Sequence, residues 1–275
     1  MTDALLSLSG VAKSFKEVDA LTHVDLEIHS GQVVGLVGGN GAGKTTLLRL
    51  MAGVMEPTKG SVLFGKNRVS NMREKLGVVP ESTGLYSRLT AWENIRYHSR
   101  MYGIDDDVAW SRVSHFAKML DLTEALSRHT KGFSRGMRQK TALLRALAHG
   151  PDILLLDEPT AGLDVTSART VRKLVAQLRN EGGTVIYSTH HLAEAQQVCD
   201  RIVIVHNGEI RADGSPRELL ELTGEETLED AYVYLTSDKA RNRGEDSKDE
   251  SRIASWWRRF LTGKTPTISE VIEDE

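Results

Sequence analysis

Short apolar runs bounded by turn residues recur along the chain, and stretches with helical periodicity separate them. Such runs are typical of strands buried on both faces. Helical spacing of apolar residues marks Thr45–Met51 and Ser167–Arg179. The alternation predicts a parallel sheet covered by helices on both faces. The apolar runs are Val33–Val37, Ile153–Leu156, Thr184–Tyr187 and Ile202–Val205.

The amino-terminal part and the middle of the chain have different patterns. Leu5–Val11, Val24–Ile28 and Ser61–Phe64 are strand-like and joined by short turns, which predicts a small antiparallel section. Residues from about 85 to 150 are mostly helical and lack a long apolar strand. The predicted fold class is therefore α/β, with a mainly parallel sheet, an N-terminal antiparallel β section and an inserted helical subdomain.

The last forty or so positions differ in composition from the rest of the chain. We predict one domain over residues 1–235, followed by a charged linker and an amphipathic tail over 236–275. Arg241–Glu250 is almost wholly polar. Apolar residues then recur at helical spacing over Ile253–Leu261, with arginines off the stripe. Three contacts are compatible with this segment: a membrane surface, a membrane partner and its own domain.

Composition excludes several classes of protein. The 275 residues carry a formal net charge of −3, which argues against binding nucleic acid through bulk charge. The single cysteine, Cys199, excludes an internal disulfide framework and fits a reducing compartment. Met1–Gly10 does not have the pattern of a secretory signal. A membrane span needs roughly 20 apolar residues, so we expect the chain not to cross a bilayer by itself.

The segment Gly38–Thr45 matches the phosphate-binding pattern G-x-x-x-x-G-K-[ST] between a predicted strand and a predicted helix. Glycines let the backbone N–H groups of such a loop point at an anion, and the helix N-terminus adds partial positive charge. Lys44 is placed to reach the β- and γ-phosphates, and the Thr45 hydroxyl is placed to ligate Mg²⁺. The alternative is a glycine-rich turn that matches by chance. The motif predicts a P-loop NTPase core.

Two carboxylates follow the apolar run Ile153–Leu156. Asp157 at the end of a buried strand is costly unless it is paired or holds a metal, which fits a Mg²⁺ ligand beside the phosphate loop. Glu158 is placed to polarise a water against the γ-phosphate. The alternative is that both residues cap the turn at Pro159. Together with the loop, they favour nucleotide hydrolysis over phosphate binding alone.

With these motifs the chain resembles the ATP-binding-cassette (ABC) ATPases over about residues 4–235. Four further segments in the family's order carry the resemblance. Phe133–Lys140 is similar to the family signature, Ala161–Asp164 to the D-loop and Ser188–His190 to the switch-histidine segment. Val78–Glu81 is similar to the loop that usually carries glutamine.

The resemblance implies two cassettes packed head to tail with ATP and Mg²⁺ between them. Ser134 and Gly136 would then grip the γ-phosphate held by the opposite cassette, and Asp164 would cross the interface. His190 would contact the γ-phosphate and hold the attacking water. Phe15 would stack on adenine, the alternative being a core residue.

Motif and resemblance together give three sets of candidate residues. The catalytic set is Lys44, Glu158 and His190, and the metal set is Thr45, Glu81 and Asp157. The nucleotide-binding set is Phe15, Gly38, Gly39, Asn40, Gly41, Ala42, Gly43, Lys44, Thr45, Thr46, Ser134, Gly136 and Asp164.

The sequence departs from the family pattern at a few positions. Arg135 and Met137 stand where Gly and Gln are commonest in the signature, and Glu81 replaces the usual Gln. Gly39 stands where Pro is frequent. The signature and Glu81 departures resemble cassettes of two-component exporters, including sodium-efflux and drug-export types.

These features predict an ATP-hydrolysing subunit of an exporter. Its expected partners are separate transmembrane permease subunits, contacted through Glu81–Asn94, and a second cassette in a homodimer or heterodimer. No nucleic-acid partner is expected, and the expected location is cytoplasmic, on the inner face of the cell membrane. The alternatives are a soluble ABC ATPase acting on ribosomes or DNA, and a non-transport nucleotide switch.

Overall fold

The computed structural model describes residues 4–237, which group into two compact units divided after Pro216. The strands of the first unit form one ten-stranded sheet. They are β1 (Leu6–Phe15), β2 (Val18–Ile28), β3 (Val33–Val37), β4 (Lys59–Phe64), β5 (Asn67–Arg68), β6 (Leu76–Val79), β7 (Ile153–Asp157), β8 (Thr184–Thr189), β9 (Arg201–His206) and β10 (Glu209–Gly214).

Helices connect these strands. They are α1 (Lys44–Met51), α2 (Ala91–Met101), α3 (Asp106–Met119), α4 (Arg135–Leu147), α5 (Val165–Asn180) and α6 (Leu192–Val198). The end of the described chain adds α7 (Pro216–Thr223) and α8 (Leu228–Thr236).

The sheet has the strand order β5-β4-β1-β2-β10-β9-β3-β8-β7-β6. Strands β9, β3, β8, β7 and β6 pair in parallel, with Gly35 of β3 opposite Tyr187 on one side and Ile202 on the other. Their apolar side chains are almost fully buried, as expected for strands covered on both faces. The predicted parallel core is confirmed, and the structure adds β6 and β10, which the apolar pattern did not single out.

The amino-terminal strands form the predicted antiparallel section. Strand β1 pairs with β2 on one side and with β4 on the other, so that Leu6 lies opposite both Ile28 and Phe64. β1 extends beyond the predicted Leu5–Val11 because pairing with β2 continues, through register shifts, to Phe15 opposite Val18.

A helical segment lies between β6 and β7, as the sequence predicts. Helix α2 begins with a capping box, in which Thr90 and Glu93 satisfy each other's backbone N–H groups. The apolar faces of α2 and α4 bury Ile95 and Leu143. This packing fixes the start of α4, where the signature-like residues lie.

The second unit begins at Arg217, and its described part holds most of α7 and all of α8. The Thr227 hydroxyl caps α8 by accepting a hydrogen bond from the Asp230 N–H. No helix between residues 4 and 237 is long and apolar enough to span a membrane. The predicted linker and the amphipathic segment Ile253–Leu261 lie outside the described residues.

Candidate nucleotide site

The carboxyl ends of three neighbouring parallel strands position the predicted site. β3 leads into the glycine-rich loop, β7 ends at Asp157, and β8 ends at Thr189, one residue before His190. Parallel strands end at the same edge of a sheet, where α/β proteins bind ligands. Residues far apart in sequence therefore meet at this edge.

The glycine-rich loop depends on two glycines that no other residue could replace without displacement. A Cβ on Gly38 would lie 2.2 Å from the carbonyl oxygen of Val205. Gly43 has a φ of 110°, and a Cβ there would lie 2.8 Å from the carbonyl oxygen of Ala20. The loop thus curls against its neighbours and turns directly into α1.

Lys44 is the first residue of α1, and its side chain bends back under the loop. Its Nζ donates hydrogen bonds to the carbonyl oxygens of Gly38 at 2.7 Å and Gly39 at 3.2 Å. The same Nζ lies 3.4 Å from Oε1 of Glu158. Only 6% of Lys44 is exposed, so a buried cation stands at the floor of the loop.

Asp157 joins the loop to the neighbouring strand. Its Oδ1 accepts hydrogen bonds from the Thr45 hydroxyl at 3.2 Å and from the Ser188 hydroxyl at 2.8 Å. Ser188 in turn accepts a hydrogen bond from the backbone N–H of Glu158 at 2.9 Å. The sequence pattern assigns Ser188 no role of its own, because a serine inside an apolar strand carries no signal of what faces it.

Glu158 and His190 lie side by side. Nδ1 of His190 is 2.9 Å from Oε2 of Glu158, within hydrogen-bond distance. Glu158 has a φ of 49°, a left-handed conformation that is strained for a residue other than glycine. The Glu158 carboxylate therefore sits between the ammonium of Lys44 and the imidazole of His190.

The predicted residues at this edge surround one open cleft of about 430 Å³. Gly38 and Asp157 support this cleft from behind without lining it. Ala20 and Ala161 add wall positions that the sequence analysis did not name. The predicted lining residues are Gly39, Asn40, Gly41, Ala42, Gly43, Lys44, Thr45, Thr46, Glu81, Glu158 and His190.

A second cavity of about 610 Å³ shares Thr45 and Glu81 with the first. Its polar lining includes Thr45, Asp157 and Glu81, the predicted metal set, together with Arg135 of the signature-like segment. The rest of its wall is mainly aliphatic and comes from α1, β6 and β7. Two of the unusual residues, Glu81 and Arg135, thus face the same space.

Ser134, Gly136 and Asp164 lie together and do not line the cleft. Ser134 caps α4 by accepting a hydrogen bond from the Met137 N–H. A Cβ on Gly136 would lie 2.5 Å from the Ser167 hydroxyl and 3.7 Å from Oδ2 of Asp164. Hydrogen bonds from Ser167, through its hydroxyl and its backbone N–H, lower the pKa of Asp164.

Phe15 lies at the end of β1, separate from the residues that line the cleft. Its side chain is exposed, and the ammonium of Lys13 lies 5.2 Å from its ring centroid. An exposed ring already bearing a cation on its face is not a core residue.

The residues at the cleft fit a magnesium nucleotide. The loop offers backbone N–H groups and a buried ammonium for phosphates, and hydroxyl and carboxylate oxygens suit Mg²⁺. Within residues 4–237, no group of three or more His, Cys, Asp or Glu could hold a metal alone. Mg²⁺ is usually held by one or two carboxylates, with phosphate and water oxygens completing its shell. Fold and loop together define a P-loop nucleotide hydrolase.

Comparison with known proteins identifies the family. The model of the family described as ABC transporter matches residues 21–161. The chain is 38% identical over 241 residues to the ABC transporter ATP-binding protein NatA of Bacillus subtilis (strain 168), covering 84% of this chain and 97% of NatA. It is 34% identical over 222 residues to the Nod factor export ATP-binding protein I of Cupriavidus pinatubonensis (strain JMP 134 / LMG 1197). That match covers 79% of this chain and 68% of the relative.

A solved structure gives the same result. The dimeric, post-hydrolysis structure of the ATP-binding cassette MJ0796 bound to ADP and Pi has a TM-score of 0.70 and 28% identity to this chain. The match covers 76% of this chain and 98% of that one. This chain belongs to the ABC transporter family and is an ATP-binding, ATP-hydrolysing subunit.

Proposed function

We propose that this subunit powers export across a membrane by closing on ATP with a second cassette and reopening after hydrolysis. The arrangement around Lys44 carries the proposal. Its buried ammonium lies between two loop carbonyls and the Glu158 carboxylate. In the nucleotide complex it exchanges these contacts for the β- and γ-phosphates, while the N–H groups of residues 39–46 surround the phosphate chain.

Thr45, Asp157 and Glu81 form the proposed magnesium site. When bound, Mg²⁺ neutralises the phosphate charge that develops during hydrolysis. Thr45 and Asp157 already share a hydrogen bond, so little movement is needed to present both oxygens to one ion. Glu81 lines both cavities that flank Thr45 and is free to approach from the remaining side.

Glu158 is the proposed general base and His190 its partner. The carboxylate accepts a proton from the attacking water, and the imidazole 2.9 Å away orients that water and the γ-phosphate. When the Lys44 ammonium moves to the phosphates, it leaves one oxygen of the Glu158 carboxylate free to contact the water. In this proposal the base becomes available once the nucleotide is in place.

Ser134, Gly136 and Asp164 supply the other half of each site in this proposal. They lie together at the starts of α4 and α5 and away from their own cleft, so a second cassette must bring them to the nucleotide. The N-terminus of α4 then faces a γ-phosphate. Phe15, exposed and bearing Lys13, stacks on adenine.

Separate membrane subunits are the proposed partners, with the chain on the inner face of the membrane. Within the predicted contact segment Glu81–Asn94, Tyr86 is exposed and packs edge-on against Tyr97, with ring centroids 5.4 Å apart. Trp92 packs in the same way against Trp110. The relative named for Nod factor export supports the export direction.

Substitution of Lys44 tests the site. Lys44→Ala removes the buried ammonium, so we expect affinity for Mg-ATP to fall by about tenfold or more. Titration of the purified full chain with ATP, followed by calorimetry, measures the affinity. The matched control is Lys66→Ala, which removes an exposed lysine from the β4–β5 turn and leaves binding unchanged. Equal affinity in Lys44→Ala and the native chain would overturn the assignment of the loop.

A further inference from the structure

Glu194 on α6 is a buried carboxylate outside the nucleotide cleft. Only 8% of the residue is exposed, although a carboxylate is costly to bury unless it is hydrogen-bonded and paired. None of the motifs used above includes it. Its position in the fold therefore calls for a physical reason.

Both oxygens of Glu194 have defined partners. Oε2 accepts hydrogen bonds from the Thr160 hydroxyl at 2.8 Å and from the Thr189 hydroxyl at 3.2 Å. Oε1 accepts a hydrogen bond from Nη1 of Arg172 on α5 at 3.2 Å. One oxygen thus holds two threonines, and the other holds the neutralising cation.

The two threonines belong to the segments that carry Glu158 and His190. Thr160 follows Glu158 by two residues, and Thr189 immediately precedes His190. The Thr189 hydroxyl also accepts a hydrogen bond from the His191 N–H at 3.0 Å, which fixes the backbone on the other side of His190. A single carboxylate oxygen therefore ties together the two segments whose side chains meet 2.9 Å apart.

The strained backbone at Glu158 explains why this connection is needed. A non-glycine residue with a φ of 49° keeps that conformation only when its surroundings fix it from both sides. On the amino-terminal side, the Ser188 hydroxyl accepts a hydrogen bond from the Glu158 N–H. On the carboxyl-terminal side, Glu194 holds the Thr160 hydroxyl. Without the second restraint, the Glu158 side chain is free to leave His190.

Tyr187 shields part of the connection around Glu194 from water. Tyr187 is fully buried beside it, and its hydroxyl lies 3.4 Å from the Thr160 hydroxyl. Burial raises the pKa of Tyr187, and the negative charge of Glu194 raises it further. Hydrogen bonds in such an enclosed place hold their geometry more firmly than exposed ones do.

We propose that Glu194 is a positioning residue for ATP hydrolysis: through Thr160 and Thr189 it holds Glu158 and His190 in register. This inference rests on the proposed roles of Glu158 and His190. Glu194 does not line the nucleotide cleft. Its ion pair with Arg172 stabilises the buried charge but reaches neither catalytic segment.

Substitutions of the hydrogen-bonded groups separate positioning from stability. Thr160→Val and Thr189→Val each remove one hydroxyl, and Glu194→Ala removes the common acceptor. We expect kcat for ATP hydrolysis to fall by about tenfold or more in Glu194→Ala, because a small displacement of catalytic groups is costly. KM for ATP should stay within about twofold, since the phosphate loop is untouched. Thr160→Val and Thr189→Val should also lower kcat. Thr160→Ser and Thr189→Ser keep the hydroxyl and should keep kcat near the native value.

Arg172→Met is the matched control. It breaks the ion pair at Oε1 but leaves both threonine hydrogen bonds at Oε2. We expect it to lower the melting temperature while keeping kcat near the native value. Gln197→Ala, exposed on the same helix, should alter neither quantity. If kcat follows the melting temperature across all these variants, Glu194 has a structural role only and the proposal is wrong.

A spectroscopic readout and a parallel variant complete the test. The His190 ring resonances of the full chain, identified by their loss in His190→Gln, should move in Thr189→Val and Glu194→Ala but not in Arg172→Met. Glu158→Gln is assayed alongside. Retained turnover in Glu158→Gln would overturn the proposed catalytic roles. Lost turnover there, with native kcat in the threonine and Glu194 variants, would overturn this inference alone.

Discussion

His98 on α2 shows how burial alters the chemistry of one side chain. Burial, together with the charges of Arg145 and His149, lowers its pKa from 6.5 to about 4. Its ring packs beside Tyr102 and His149, with centroids 5.2 Å and 5.8 Å away, and those two rings stack on each other at 4.3 Å. Within the described chain, its buried Nδ1 has no hydrogen-bond partner. The folded protein therefore resists protonation of this imidazole.

A pH dependence of stability follows at this residue. Because the folded pKa lies below the unfolded one, the unfolded chain binds the proton first as the pH falls. The contribution of neutral His98 to the unfolding free energy is complete above pH 6.5 and is lost progressively as the pH falls towards 4. Replacing it by a residue that does not titrate should therefore reduce the loss of stability on acidification.

We expect His98→Gln to reduce the fall in unfolding free energy between pH 7 and pH 5 by about 1 kcal/mol, after allowance for partial solvation. Urea unfolding at the two pH values measures the difference. His115→Gln, on the exposed side of α3, is the control and should leave the fall unchanged. An equal fall in His98→Gln and the native chain would contradict the prediction.

At the scale of elements, the contact between β3 and α6 depends on a glycine. A Cβ on Gly35 would lie 2.8 Å from Sγ of Cys199, just after α6. Cys199 is buried, and burial, with Asp200 and Glu194, raises the pKa of its thiol to about 12. The helix thus packs directly on the backbone of the central strand, which also leads into the phosphate loop.

Gly35→Ala should therefore reduce the unfolding free energy by about 1–3 kcal/mol through overpacking. Cys199→Ala should relieve the clash, so that Gly35→Ala costs less in the Cys199→Ala background. Urea unfolding of the four chains in this double-mutant cycle gives the coupling. Gly132→Ala, where an added Cβ meets nothing within 4 Å, is the control. If the two substitutions change the unfolding free energy additively, the added Cβ does not press on Cys199 and the prediction is wrong.

At the scale of the whole molecule, one chain contains the residues proposed for both halves of a composite site. The cleft beside the glycine-rich loop and the group formed by Ser134, Gly136 and Asp164 occupy different places. The solved cassette MJ0796, to which this chain is similar, is dimeric. ATP-dependent dimerisation is the expected consequence for this chain.

Glu158→Gln should trap that dimer, because removing the proposed base stops hydrolysis while the amide leaves ATP binding intact. Light scattering on the full chain at saturating Mg-ATP should give twice the mass of a single chain. The double variant Glu158→Gln with Lys44→Ala should remain a monomer, since the phosphates lose their buried cation. A monomer in Glu158→Gln itself would contradict the proposed composite site.

The sequence by itself determined the parallel core, the antiparallel amino-terminal section, the helical insertion and the family. Buried strands need uninterrupted apolar runs, and a phosphate loop needs glycines at fixed spacing. Both patterns are local, so both features can be predicted from the sequence. The positions of Lys44, Asp157 and Glu158 follow from the same local rules.

Only the tertiary structure decided how distant residues meet. Sequence spacing does not reveal that Ser188 bridges Asp157 and Glu158, or that Glu194 holds both Thr160 and Thr189. Strands β6 and β10 likewise depend on their neighbours in the sheet. Contacts of this kind are set by strand order and helix packing, which bring together side chains whose local sequence carries no trace of their partners.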